Sequence, residues 1–90
     1  MKFEWDGGNW PHCGKHGVTK QEIEQVFERD PTIVPDKDDH EPEERLNAIG
    51  STEQGRVVFV VFTVRLDRIR PISARYMHLK EIKRYARDNP

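Results

Sequence analysis

The sequence predicts an α+β fold, a small antiparallel β-sheet packed with helices in the order β-α-α-β-β-β-β-α. Three observations predict it. Thr19 and Glu22 stand at capping-box spacing ahead of Ile23, Val26 and Phe27, which repeat at helical intervals. Residues 57 to 64, VVFVVFTV, are apolar or β-branched at every position, as in a strand covered on both faces at the centre of a sheet. Leu79, Ile82, Tyr85 and Ala86 form the apolar stripe of a closing helix, with Lys80, Lys83, Arg84 and Arg87 largely on its other faces.

The elements follow in order. KFEW, residues 2 to 5, alternates as a short first strand, and Asp6, Gly7 and Gly8 break it. Asn9 caps a brief helical turn, WPHCGKH, with Pro11 tolerated in the first turn and Gly17 suited to a left-handed stop. Residues 20 to 28 form the first full helix, ended by Asp30 and Pro31. TIVP is a short strand whose proline suits a sheet edge, and DKDDHEPEE is an acidic loop without periodicity. RLNAIG reads as a strand, STEQG as a turn, and residues 57 to 64 as the core strand. The chain then turns near residues 66 to 68 and returns as a strand ending at about Tyr76.

Ninety residues make one domain, 1 to 90, of a size that buries roughly two-thirds of its unfolded surface. A large multidomain enzyme is excluded. The single cysteine, Cys13, has no internal disulfide partner, and no stretch has the length and apolarity of a membrane span. These features predict a cytoplasmic protein with no membrane partner.

A net charge of −1 conceals an asymmetry. Residues 1 to 44 carry 5 Lys/Arg against 12 Asp/Glu, a net −7, whereas residues 45 to 90 carry 10 against 4, a net +6. Four arginines, Arg65, Arg68, Arg70 and Arg75, fall within eleven residues at the far end of the apolar hairpin. A buried hairpin does not require them there. They point to an anionic partner such as nucleic acid or an acidic protein, against the plainer reading of solvated charge paired with the chain's own carboxylates.

Strand parity constrains the cluster. Arg70 and Arg75 are five apart, so on a regular strand only one shares a face with Arg65. An odd number of turn residues selects Arg75 and an even number selects Arg70, unless Pro71 marks a bulge that changes the count. Two arginines on one face would hold phosphate through forked hydrogen bonds.

FEWD near the start, KHGVTKQEIEQVF, the pair DP at 30 and 31, EERLNAIGSTEQGRVVFVVFTVR, and RIRPISARYMHLKEIKRY together resemble the BrnT-like toxin family over nearly the whole chain. The resemblance implies a RelE-like fold and a ribonuclease toxin of a type II toxin-antitoxin system, acting without metal or other cofactor. It also implies a BrnA-type antitoxin partner, messenger RNA as substrate, free or on the ribosome, and contact with operator DNA only through the antitoxin.

Metal-free RNA cleavage requires a base for the 2′-hydroxyl proton, cations for the developing phosphorane charge and an acid for the leaving 5′-oxygen. Histidine is the kind of side chain whose unperturbed titration falls near neutrality, and Lys15 is a cation beside His16, so both are candidate catalytic residues with Arg65 and Arg75. A histidine before a glycine stop also serves simply to bond the last carbonyls of its helix. Arg45, Arg70 and Tyr85 are candidate nucleic-acid-binding residues. A local ion pair with Glu43 or Glu44 is the plain alternative for Arg45, and core packing is that for Tyr85.

Two other function classes stand beside the toxin. A non-catalytic nucleic-acid or antitoxin-binding module is favoured by a sequence pI of 6.4, low for an RNA-cleaving toxin. A small metalloprotein would use His12 and His16, four residues apart, with a distant third ligand such as His40.

Overall fold

The computed structural model describes residues 1–36 and 44–88. The elements are α1 (Trp10–Cys13), α2 (Lys20–Glu28), β1 (Thr32–Pro35), β2 (Leu46–Ser51), β3 (Val57–Arg65), β4 (Arg68–Tyr76) and α3 (Leu79–Asp88). The four strands form one antiparallel sheet in the order β1-β2-β3-β4. The acidic run is placed only at Asp36 and Glu44, because residues 37–43 lie outside the described residues, and so does His40. Among the described residues no helix is long and apolar enough to cross a membrane.

The expected first strand is reduced to one parallel bridge between Phe3 and Ile69. Two hydrogen bonds of 2.8 Å make it, from Glu4 N–H to the Ile69 carbonyl and from Ile69 N–H to the Lys2 carbonyl. The turn at Asp6 cuts it short: the Asp6 carboxylate accepts the Gly8 N–H at 2.8 Å, and the Asn9 side chain accepts the Asp6 N–H at 2.9 Å. The element order therefore lacks its leading strand, although Phe3 still packs edge-on against Phe27 at 5.6 Å.

The α2 helix matches the residues expected for it. Thr19 accepts the Glu22 N–H at 3.1 Å and the Glu22 carboxylate accepts the Thr19 N–H at 3.0 Å, which satisfies two of the donors a helix start leaves open. Its face of Ile23, Val26 and Phe27 lies on the side chains of Ala48, Val58, Val60, Phe62 and Ala74, with Val18 and Cys13 closing the core. Gly50 permits the close approach, since a Cβ there would stand 3.2 Å from the Val26 side chain and 3.3 Å from Pro31.

The β3 strand departs from expectation in one respect. Val58, Val60 and Phe62 are buried, but Val57, Phe59 and Val61 on the other face are only half-buried. That second face is overhung by α3, which buries none of its residues. Leu79 and Ala86 of its expected stripe are exposed, and Ile82 and Tyr85 are half-buried.

Two features of the β3–β4 hairpin set its register. Leu66 and Asp67 form a two-residue turn with φ of 50° and 63°, the mirror-image geometry whose twist matches the flanking strands. Further along, Val61 pairs with Ser73 but Phe62 pairs with Pro71, which leaves Ile72 as an extra, bulged residue. Proline has no N–H for the ladder, so the irregularity falls beside it. The even turn puts Arg70 on the face of Arg65, and the bulge resets the parity beyond it. Arg75, opposite Phe59, thus faces the same side as well, correcting the regular-strand expectation that only one of the two would do so.

Candidate functional site

Two adjoining cavities occupy the half-covered face of the sheet. One, of about 360 Å³, lies among His12, Arg45, Asn47, Ser73 and the apolar side chains of Phe59, Val61 and Ile72. The other, of about 720 Å³, lies under α3 and is lined by Arg75, Glu81, Arg84 and Tyr85. Asp36, Asn47 and Phe59 belong to both.

The local sequence explains why these groups meet. Asn9 makes no helix cap; its side-chain N–H groups donate to the Glu4 and Pro71 carbonyls, both at 2.9 Å. The amide staples α1 to the bulge of β4 and so carries His12 over the sheet face. On the opposite side, the Thr63 hydroxyl donates to the Glu44 carbonyl at 2.9 Å, and the Asp36 N–H donates to the Arg45 carbonyl at 3.2 Å. These bonds fix the chain where Arg45 enters β2.

Arg75 is a cation of this face with a defined partner. Its guanidinium forks onto the two Glu81 carboxylate oxygens at 2.8 Å each and lies over the Phe59 ring at 5.0 Å. The Arg75 hydrogen bonds, with a further one from the His78 N–H, hold the Glu81 carboxyl down at about 2. A fork of that shape accepts phosphate as readily as carboxylate.

Arg70 is differently engaged. It reaches Glu4 at 2.7 Å and Asp6 at 2.9 Å, ties the N-terminal segment to β4, and lowers the Asp6 carboxyl through its hydrogen bonds. Arg65 is exposed at the end of β3. Of the expected site residues, Arg45, Arg75 and Tyr85 come to the paired cavities. Lys15 and His16 are exposed in the turn after α1, which closes at Gly17 with φ 87°, and line neither cavity.

Asn47 is a site residue that sequence reasoning did not select, and His12 entered it only as a metal-ligand candidate beside His16. A helical turn of four residues has too little periodicity to say which of its histidines meets the sheet. Asn47 carried a usable signal, a polar amide in the middle of an otherwise small and apolar strand. Cys13, between the histidines, is fully buried, and burial pushes its thiol up to about 11. It is a core side chain rather than a nucleophile. Among the described residues no group of three or more His, Cys, Asp or Glu side chains is placed to hold a metal ion.

Comparison with known proteins bears on the chain as a whole. A family model described as the ribonuclease toxin BrnT of type II toxin-antitoxin systems matches residues 5–81, a span that includes His12, Arg45, Asn47, Arg75 and Glu81. No curated protein matches the chain. With most of its length covered by that model, the chain belongs to the BrnT family of ribonuclease toxins of type II toxin-antitoxin systems.

Proposed function

We propose that the chain is a single-domain, RelE-like endoribonuclease that cleaves messenger RNA without metal on the half-covered face of its sheet. The observation that carries this reading is the convergence of Arg75, Arg45 and His12 on two cavities with a common wall. In the reaction the 2′-oxygen attacks the adjacent phosphorus as a base removes its proton. The P–O5′ bond then breaks, the 5′-oxygen takes a proton, and a 2′,3′-cyclic phosphate remains. Arg75, with Arg65 and Arg45 along the same face, neutralises the phosphorane oxygens. His12, which lines the groove among the described residues, handles the protons, and Lys15 and His16 in the exposed turn after α1 are further contacts for the RNA. Tyr85 contacts the RNA from α3. Arg70 anchors the N-terminal segment.

Type II toxins have an antitoxin partner, and for this chain a BrnA-type protein that covers the cationic face and carries the operator-DNA contact completes the reading. Both act in the cytoplasm. Induced expression should arrest growth, and the purified protein should cleave RNA in excess EDTA. Arg75→Ala should relieve the arrest while keeping the melting temperature. Full toxicity of a folded Arg75→Ala variant would refute the site, and cleavage abolished by EDTA would refute the metal-free mechanism.

A second reading has an observation of its own. Arg70 and Arg75 are both held by carboxylates of the same chain, so a non-catalytic module that binds RNA or antitoxin is consistent with this face. Salt-dependent RNA binding without strand scission would select it.

A further inference from the structure

Among the described residues of the sheet's polar face, Asn47 is a buried group that the fold does not account for. It is 9% exposed, and its Oδ1 meets no hydrogen-bond donor among the described residues. Its register neighbours are Val34 on β1 and Val61 on β3, both apolar. Asparagine is disfavoured in strands, and a buried acceptor without a donor costs stability that a valine or leucine at the same place would not. A residue that burdens the fold in this way marks a surface kept for a ligand.

The surroundings define what that ligand is. Asn47 lines the smaller cavity with the apolar side chains of Phe59, Val61 and Ile72 and the polar ones of His12, Asp36 and Ser73. Through Phe59 the same cavity adjoins the guanidinium of Arg75. A flat ring next to a phosphate is the shape of a nucleotide. The last torsion of an asparagine side chain is broad, so the enclosed Oδ1 turns to meet a donor that enters the groove.

We propose that this groove is a nucleobase pocket in which Asn47 accepts a hydrogen bond from the exocyclic amino group of adenine, guanine or cytosine, discriminating against uracil, which has no exocyclic amino group and offers only its ring N3–H. The proposal rests on the RNA-cleavage reading and adds base selection to it. Asn47 is here a binding residue for the base beside the phosphate held by Arg75.

The test uses the full chain and four 2′-O-methyl hexamers, hexauridylate and its single central substitutions by adenosine, guanosine or cytidine, which bind but lack the attacking hydroxyl. Affinities by fluorescence anisotropy and melting temperatures are measured for wild type, Asn47→Leu and Asn47→Val. At least one amino-bearing hexamer should bind wild type about tenfold more tightly than hexauridylate. Both variants should melt at or above the wild-type temperature and bind all four hexamers at the hexauridylate level. Equal, salt-dependent binding of the four by wild type overturns the pocket and leaves the RNA reading standing, whereas no binding of any hexamer overturns both. A preference that survives in the variants, as it would if the amide met only water, overturns the role of Asn47. So does a lower melting temperature in both variants, since the amide would then be serving the fold.

Discussion

The two faces of the same four strands have opposite characters. Under α2 the side chains of Ala48, Val58, Val60, Phe62 and Ala74 are buried and apolar, and Phe62 meets Phe27 edge-on at 4.9 Å. On the opposite face, one residue along each strand, stand Asn47, Phe59, Ser73 and Arg75, partly covered by a helix that buries nothing of its own. Alternation along a strand lets one sheet serve both purposes. The dry face supplies the stability that the polar face spends on an unpaired amide and closely set cations.

Stability should therefore be lost mainly on one face and activity on the other. The largest effect expected is that of Phe62→Ala, about 3–5 kcal/mol of unfolding free energy, because the ring is 4% exposed and leaves a cavity. Phe59→Ala, at a half-buried phenylalanine of the same strand on the other face, should cost about 1–2 kcal/mol, while weakening RNA binding. Denaturant titration of both variants checks the contrast, and equal losses would erase it.

Arg75→Ala should lower the cleavage rate about 10²–10³-fold and leave stability within about 1 kcal/mol, measured on a defined transcript beside a melting curve. His12→Ala should cost about 10²-fold in rate. A His16→Ala variant run in parallel decides which imidazole matters: if only that variant loses activity, the groove beside α1 is not where the proton moves.

The smallest effect concerns Glu81, which occupies the Arg75 fork proposed for RNA. Glu81→Gln should tighten RNA binding a few-fold, about the scale of one half-exposed ion pair; weaker binding would mean that the carboxylate positions Arg75 for RNA instead. The folded carboxyl titrates at about 2 against an ordinary 4.5. Its folded value is depressed, so its contribution to stability is complete above about 4.5 and fades as pH falls toward 2. The side chains of the pair are 42% and 34% exposed, which keeps that contribution small. The melting temperature of wild type should converge on that of Glu81→Gln across this acid window.

Much of the fold was legible because local chemistry wrote it. The capping box of Thr19 and Glu22 fixed α2 at 20 to 28, and the apolar, β-branched run of residues 57 to 64 located β3. The leading strand failed because the Asp6–Asn9 turn ends it early and leaves Phe3 as its bridged residue. The register of the arginines was open because one bulged residue, Ile72, inverts the parity of everything after it. Pro71 signalled that possibility without settling it.

The site was less legible for a related reason. Arg75 and Arg45 could be named by type, but their neighbours depend on contacts between distant segments. Asn9 reaches Pro71 across 62 positions, and that bond places His12, rather than His16, beside Ser73. Glu81 as the partner of Arg75 follows from how α3 returns over the sheet.

The central claim is that RNA is handled on the polar face and not elsewhere. Titration of the isotopically labelled protein with a 2′-O-methyl RNA tests it most directly, following the His12 ring, the Asn47 side-chain amide and the Arg75 Nε–H by NMR. These three should shift together at one stoichiometric equivalent, with the side-chain methyls of Ile23 and Val26 unmoved. Saturable binding that leaves all three in place, or that moves instead the exposed side chains of α2, would contradict it.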